Sequence, residues 1–139
     1  MLPNLEHYYV LISEAQKLQK LIVLLDSIPF AQAIIFVNKI DQAASLKTCL
    51  SHNMFNPCTI HSKIHQSDRL EIFDMFSKGS SRIIIATDVL ARGANMEKVD
   101  VVFNYDFPWT VDTFLHRAAR AGRFGRKGKT VNLIKLPDQ

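Results

Sequence analysis

The chain has 139 residues, 47% of them hydrophobic and 22% charged, with a net charge of +4 and a pI near 9.2. That length suits one domain with a core of ordinary size, and the composition excludes a disordered chain while permitting a polyanionic partner without demanding one. No apolar run reaches membrane-spanning length, the opening MLPNLEHYYV has no secretory pattern, and Cys49 and Cys58 lack metal-ligand spacing, which predicts free thiols in a reducing compartment.

In chain order, HYYVLI reads as a strand and residues 13–28 as a helix. Ser13 and Gln16 form a capping-box pattern at its start, and Leu18, Leu21, Ile22 and Leu25 repeat at helical spacing. AIIFV is a strand, residues 40–53 a helix, and PCTIH a short strand. Residues 66–79 read as a helix ending at Gly79, with Phe73, Met75 and Phe76 as core and interhelix packing. RIIIAT and VDVVFNYD are strands, residues 110–122 a helix, and KTVNLIK the last strand. Alternating strands and helices predict an α/β domain, a mostly parallel sheet with helices on both faces in three layers, with no linker or internal repeat.

Ligands of such sheets bind beyond the carboxyl ends of the strands. There the sequence places Asn38 and Lys39, then His61, Ser62 and Lys63, then Thr87 and Asp88, then Asn104, Tyr105 and Asp106. The richest stretch is LHRAARAGRFGRKG, where Arg117, Arg120 and Arg123 recur every third residue. On a helix, positions three apart step back about 60°, so the three would share roughly a third of the circumference. Arginine's rigid fork of donors suits phosphate oxygens, and Gly122 and Gly125 can end the helix or admit a close neighbour. From these residues alone, a phosphate clamp and a solvated basic face stand about equal.

Along nearly its whole length the chain resembles the second RecA-like domain of the DEAD-box RNA helicases, a P-loop NTPase-like fold. AIIFVNK resembles the family's motif IV, IIIATDVLARGANM its motif V, and HRAARAGR its motif VI. The spacing of His61, Gln66 and Arg69, and the segment VFNYDFP, resemble family segments in the same order. FNYD, and the FG and KG after motif VI, resemble the branch acting in pre-mRNA splicing and mRNA export. The resemblance implies one helicase C-terminal domain over residues 1–139, whose N-terminal ATP-binding domain is absent from the chain.

It further implies that Arg120 and Arg123 are arginine fingers for the γ-phosphate of ATP. His116 and Arg117 would link that phosphate site to the acidic motif of the partner domain. Arg92 and Gly93 match motif V residues beside the RNA-backbone contacts, Asn95 the motif V position that meets the ATP ribose, and Asn38, His61, Gln66, Arg69, Thr87 and Asp88 lie near the RNA. The implied cofactors are ATP and Mg2+, held mainly by the N-terminal domain. The implied partners are single-stranded or duplex RNA, that domain, and splicing or export factors, with no membrane. The implied location is the nucleus, otherwise the cytoplasm.

Simpler readings stand beside these: His61 as a satisfied strand-end histidine, Arg69 paired with Asp68 or Glu71, Asp88 as a helix cap. Trp109 has no role that follows from the sequence. Some residues depart from the family pattern: Asn95 stands where an aspartate usually meets the ribose, Ser62 where glycine is usual, and His65 where proline is frequent. Ala119 replaces a common glycine, as in the splicing and export branch. The chain has no G-x-x-x-x-G-K-[ST] loop and no Asp-Glu-Ala-Asp stretch, so alone it is expected not to hydrolyse ATP. It reads as half of an enzyme, trimmed at its C-terminus where the family usually adds a helix. The alternative is a stand-alone RNA-binding or protein-interaction module of the same fold without catalysis.

Overall fold

The structure, a computed structural model, describes residues 4–88, 96–122 and 127–137. Its strands are β1 (Leu5–Ile12), β2 (Gln32–Phe36), β3 (Cys58–Ile60), β4 (Ile83–Ala86), β5 (Val99–Asn104) and β6 (Gly128–Lys135). Its helices are α1 (Lys17–Ser27), α2 (Ile40–His52), α3 (Gln66–Ser77) and α4 (Val111–Ala118). The six strands form one sheet in the order β1-β6-β5-β2-β4-β3, and every pairing is parallel.

The apolar runs of β2 and β4 are buried along their whole length, as strands covered on both faces require. Alternation then splits their side chains. Ala33, Ile35 and Val37 join Leu21 and Leu25 of α1 and Leu46 and Leu50 of α2 in one core cluster. Ile34 and Phe36 join Phe73 and Phe76 of α3 and Ala121, beyond α4, in the other. Each fully buried Leu, Ile or Phe contributes about 1.5–3 kcal/mol by leaving water, so these two layers carry most of the stability.

Three local expectations change. Ser13 and Gln16 make no capping box. A single 3-10 turn, Glu14–Gln16, precedes α1, and the Ser13 hydroxyl donates to Gln16 Oε1 at 3.0 Å instead of reaching a backbone group. Met75 is 50% exposed, although Phe73 and Phe76 are buried as expected. The last helix ends at Ala118 rather than residue 122. Arg120 N–H bonds the Arg117 carbonyl and Ala121 N–H that of Ala118, so the chain tightens to three-residue bonds and buries Ala121. Cys49 and Cys58 are free thiols, and burial raises the Cys58 pKa above its ordinary value.

Candidate functional site at the carboxyl edge

Four elements deliver the polar residues of the carboxyl edge, and Arg117 organises them. Its side chain is 1% exposed. A buried guanidinium is costly unless every donor finds a partner. Here all five N–H donors do. Nε and one Nη2 proton grip Asp88 Oδ1 and Oδ2 at 2.7 and 2.8 Å. The second Nη2 proton goes to Asn38 Oδ1 at 2.7 Å, and Nη1 bonds Asn104 Oδ1 at 3.0 Å and the Asp106 carbonyl at 2.9 Å. The Phe36 ring lies 5.0 Å below the guanidinium carbon. The acceptors come from the ends of β2, β4 and β5, so one residue of α4 staples three strand ends together.

A second buried cation stands beside it. Lys17, 4% exposed, donates to Asp106 Oδ1 at 2.7 Å and Glu14 Oε2 at 3.3 Å, and lies over the Tyr105 ring. Burial, with the nearby Glu14 and Asp106 charges, pushes the Tyr105 hydroxyl up to about 12. Asn38 bridges the two ion pairs. Its N–H donates to Asp106 Oδ2, its side-chain oxygen accepts from Arg117, and its Nδ2 donates to the Phe107 carbonyl.

Above this network lies a cleft of about 420 Å³, lined by Phe36, Asp88, Asp112, Thr113, His116, Arg117 and Arg120. His116 is exposed on its rim and Arg120 is half-buried in its wall, in the turn beyond α4. Arg117 and Arg120 therefore do not share one helix face. Arg117 turns inward, Arg120 follows the helix end, and Arg123 lies outside the described residues. So do Arg92, Gly93, Asn95 and Gly125. Gly122 has a visible reason: a Cβ there would stand 2.9 Å from Leu5 Cδ2 of the edge strand.

The remaining sequence candidates lie further along the same edge. Thr87 is buried at the end of β4, and its Oγ1 is, among the described residues, a buried side-chain oxygen without a hydrogen-bond partner. His61 is half-buried, and its Nδ1 accepts the Lys63 N–H. Gln66 is exposed and Arg69 half-buried in the first turn of α3, and no ion pair among the described residues joins Arg69 to Asp68 or Glu71. Sequence reasoning missed Lys17, Asn132 and Thr130 as buried polar residues. Thr130 and Asn132 stand among apolar residues of KTVNLIK, whereas Lys17 sits in the polar stretch SEAQKLQK and carried no local signal.

A larger hollow of about 700 Å³ lies at the opposite, amino edge, among Phe30, Met54, Phe55 and Arg82. The Arg82 guanidinium is already committed to the Phe30 and Ala31 carbonyls. The convergence of ionisable groups favours the carboxyl-edge cleft as the site. Among the described residues no three His, Cys, Asp or Glu side chains stand close enough to hold a metal ion, and no helix is long and apolar enough to cross a membrane.

Residues 16–125 match the helicase conserved C-terminal domain family. The chain is 42% identical over 133 residues to the DEAD-box ATP-dependent RNA helicase 56 of Oryza sativa, covering 96% of the chain and 31% of that relative. It thus spans about a third of the length of the curated relatives it matches. The Escherichia coli DEAD-box protein SrmB, solved with the regulator of ribonuclease activity A, superposes with a TM-score of 0.83 at 32% identity, over 94% of this chain and 76% of that one. Saccharomyces cerevisiae Dbp5, solved with RNA and ADP BeF3, gives a TM-score of 0.88 at 30% identity, over 99% of this chain and 37% of that one. With its parallel sheet, its carboxyl-edge cleft and its motif order, the chain belongs to the DEAD-box RNA helicases, as their helicase C-terminal domain.

Proposed function

We propose that the chain is the C-terminal half of an ATP-dependent RNA helicase that works by closing its carboxyl edge onto an N-terminal ATP-binding domain. One observation carries this reading most: Arg120 lines an open cleft directly above a locked Arg117–Asp88–Asn38 network. A catalytic arginine needs a fixed base, because charge stabilisation works only when the donor is held where charge develops. In this reading Arg120, with Arg123, meets the γ-phosphate delivered by the partner domain. His116 reaches the partner's acidic motif from the rim. Arg117 spends its donors inside the domain, so it acts by holding Asp88 and the strand ends in place.

Arg92 and Gly93 belong to motif V beside the RNA contacts, and Asn95, on the ribose side, can bond a ribose hydroxyl without a charge. Asn38, His61, Gln66, Arg69, Thr87 and Asp88 form the RNA side. ATP supplies the phosphoryl group, with Mg2+ held by the N-terminal domain. Backbone contacts make RNA binding indifferent to sequence and sensitive to salt, and the 2′-hydroxyl distinguishes RNA from DNA. Closure on a bent strand opens a short duplex or displaces a bound protein. The likeness of FNYD and of motif VI to the splicing and mRNA-export branch supports work in the nucleus, with factors of those pathways as partners.

The test joins the chain to its natural upstream region and measures affinity for single-stranded RNA with and without a non-hydrolysable ATP analogue. Nucleotide should tighten binding at least about tenfold, because closure completes both half-sites. Affinity indifferent to nucleotide would refute the closing cleft.

A further inference from the structure

A chain of hydrogen bonds leaves the Arg117 site and crosses the sheet away from the cleft. Asn104 Nδ2 donates to Asn132 Oδ1 at 2.7 Å. Asn132 Nδ2 donates to the Tyr8 main-chain carbonyl at 2.9 Å and to Thr130 Oγ1 at 3.0 Å. Thr130 Oγ1 lies 2.6 Å from His7 Nδ1 on the edge strand. The His7 ring contacts Phe114 of α4, whose helix also carries Arg117. The path therefore runs from α4 through β5, β6 and β1 and back to α4. Asn104, Asn132 and Thr130 are all fully buried, out of contact with bulk solvent.

Two ends fix the direction of this chain. Arg117 can only donate, so the Asn104 amide must turn its oxygen toward it. The Tyr8 carbonyl can only accept, so the Asn132 amide must turn its nitrogen toward it and its oxygen toward Asn104. The two constraints agree: Asn104 has one satisfied orientation, oxygen to Arg117 and nitrogen to Asn132. Without an acceptor at 132, the buried Asn104 amide nitrogen would have no partner, and the Arg117 bond alone would hold the amide's orientation. A turned amide would point N–H at N–H and push the guanidinium off its fork on Asp88.

We infer that Asn132 is a positioning residue: from the middle of β6, through Asn104, it sets the orientation of the Arg117 guanidinium and thereby how Asp88 is presented to the cleft. What the cleft does with Asp88 rests on the proposed function, but the positioning itself does not depend on it. Asn132 touches neither the cleft nor any expected ligand. Its Oδ1 acceptor acts on Arg117 through Asn104, while its Nδ2 donors bond the Tyr8 carbonyl of β1 and Thr130 of its own strand. The two halves of one side chain thus separate positioning from stability.

The test uses the ¹⁵N-labelled chain and the Arg117 Nε–H resonance, assigned by its loss in Arg117→Lys. A bond of 2.7 Å to a carboxylate from a buried guanidinium should make this proton exchange slowly with solvent. Asn132→Leu should speed that exchange at least about tenfold while amides of α2 change less than about twofold. Asn132→Asp keeps an acceptor for Asn104 but loses both donors. It should lower the melting temperature at least as much as the leucine variant, yet leave Arg117 exchange within about twofold. Thr130→Val should also leave it unchanged, because the Tyr8 carbonyl still holds the Asn132 amide. Exchange that is unaltered in Asn132→Leu, or that follows melting temperature across all three variants, overturns the inference. Should the leucine variant not fold, the unaltered chain decides: Asn104 amide protons should show proximity to β6 protons, and proximity to Arg117 Hη instead would overturn it. Neither readout involves ATP or RNA, so failure of the proposed function leaves this test intact.

Discussion

Replacing Arg117 by methionine tests how much of the carboxyl edge depends on one side chain. Methionine keeps the aliphatic stem against Phe36 but removes five donors. Asp88 is 48% exposed and rehydrates easily, whereas Asn104 is fully buried and keeps an orphaned oxygen. Removing one partner of a buried ion pair costs about 3–5 kcal/mol, and the exposure of Asp88 moves the expectation to about 3–4 kcal/mol. With a urea slope of about 2 kcal/mol per molar, the unfolding midpoint should fall by about 1.5–2 M with the slope unchanged. Asp88→Asn should cost less, about 1–2 kcal/mol, because its place is half in water and the amide retains one acceptor. The double variant should fall short of the sum by about 1–3 kcal/mol, as contacting residues do. A loss below about 1 kcal/mol for Arg117→Met, or a larger loss for Asp88→Asn than for Arg117→Met, would refute the view that the buried guanidinium organises the edge.

Two further outcomes follow from local geometry. A Cβ on Gly128 would stand 2.4 Å from the Ala121 carbonyl oxygen and 2.6 Å from its carbon, so Gly128→Ala must displace backbone in the turn beyond Arg120. Urea unfolding should show a loss of about 2–3 kcal/mol, against less than about 1 for Gly122→Ala, which meets only the movable Leu5 side chain. Tyr105, with its pKa raised to about 12 by burial and the neighbouring carboxylates, should be the last tyrosine to ionise in an absorbance titration. Its folded pKa lies above the unfolded value near 10. Its contribution to stability is therefore complete below pH 10 and lost as pH rises toward 12, and Tyr105→Phe should remove that component of the loss.

Much of this architecture was legible because both of its signals are local. Short apolar runs such as AIIFV and RIIIAT have no polar face to show, and a strand buried on both sides needs none. Helical spacing in α1 placed Leu21 and Leu25 in the core correctly. The parallel arrangement then put Asn38, His61, Thr87, Asp88 and Asp106 on one edge before any contact was known. Where the reading failed, a long-range contact overrode a local pattern. The arginine spacing implied one continuing helix face, but five acceptors from three strand ends draw Arg117 inward and the helix closes at Ala118. Lys17 looks like any surface lysine of an amphipathic helix, since nothing nearby in sequence announces Asp106 and Tyr105. Asn132 in KTVNLIK looks like the solvent side of an alternating strand. Its partners are main chain on β1 and a side chain on β5, 124 and 28 residues away.

The central claim is that this domain completes an ATP-hydrolysing site with Arg120 at the reacting phosphate. The measurement that tests it most directly is RNA-stimulated ATP hydrolysis by the chain joined to its upstream region, beside the same protein carrying Arg120→Ala. The account predicts an active parent and a variant whose turnover falls by about 10³-fold or more while ATP and RNA affinities change little, since an arginine finger acts on the transition state. A silent parent, or a variant that hydrolyses ATP at the parent's rate, would contradict it.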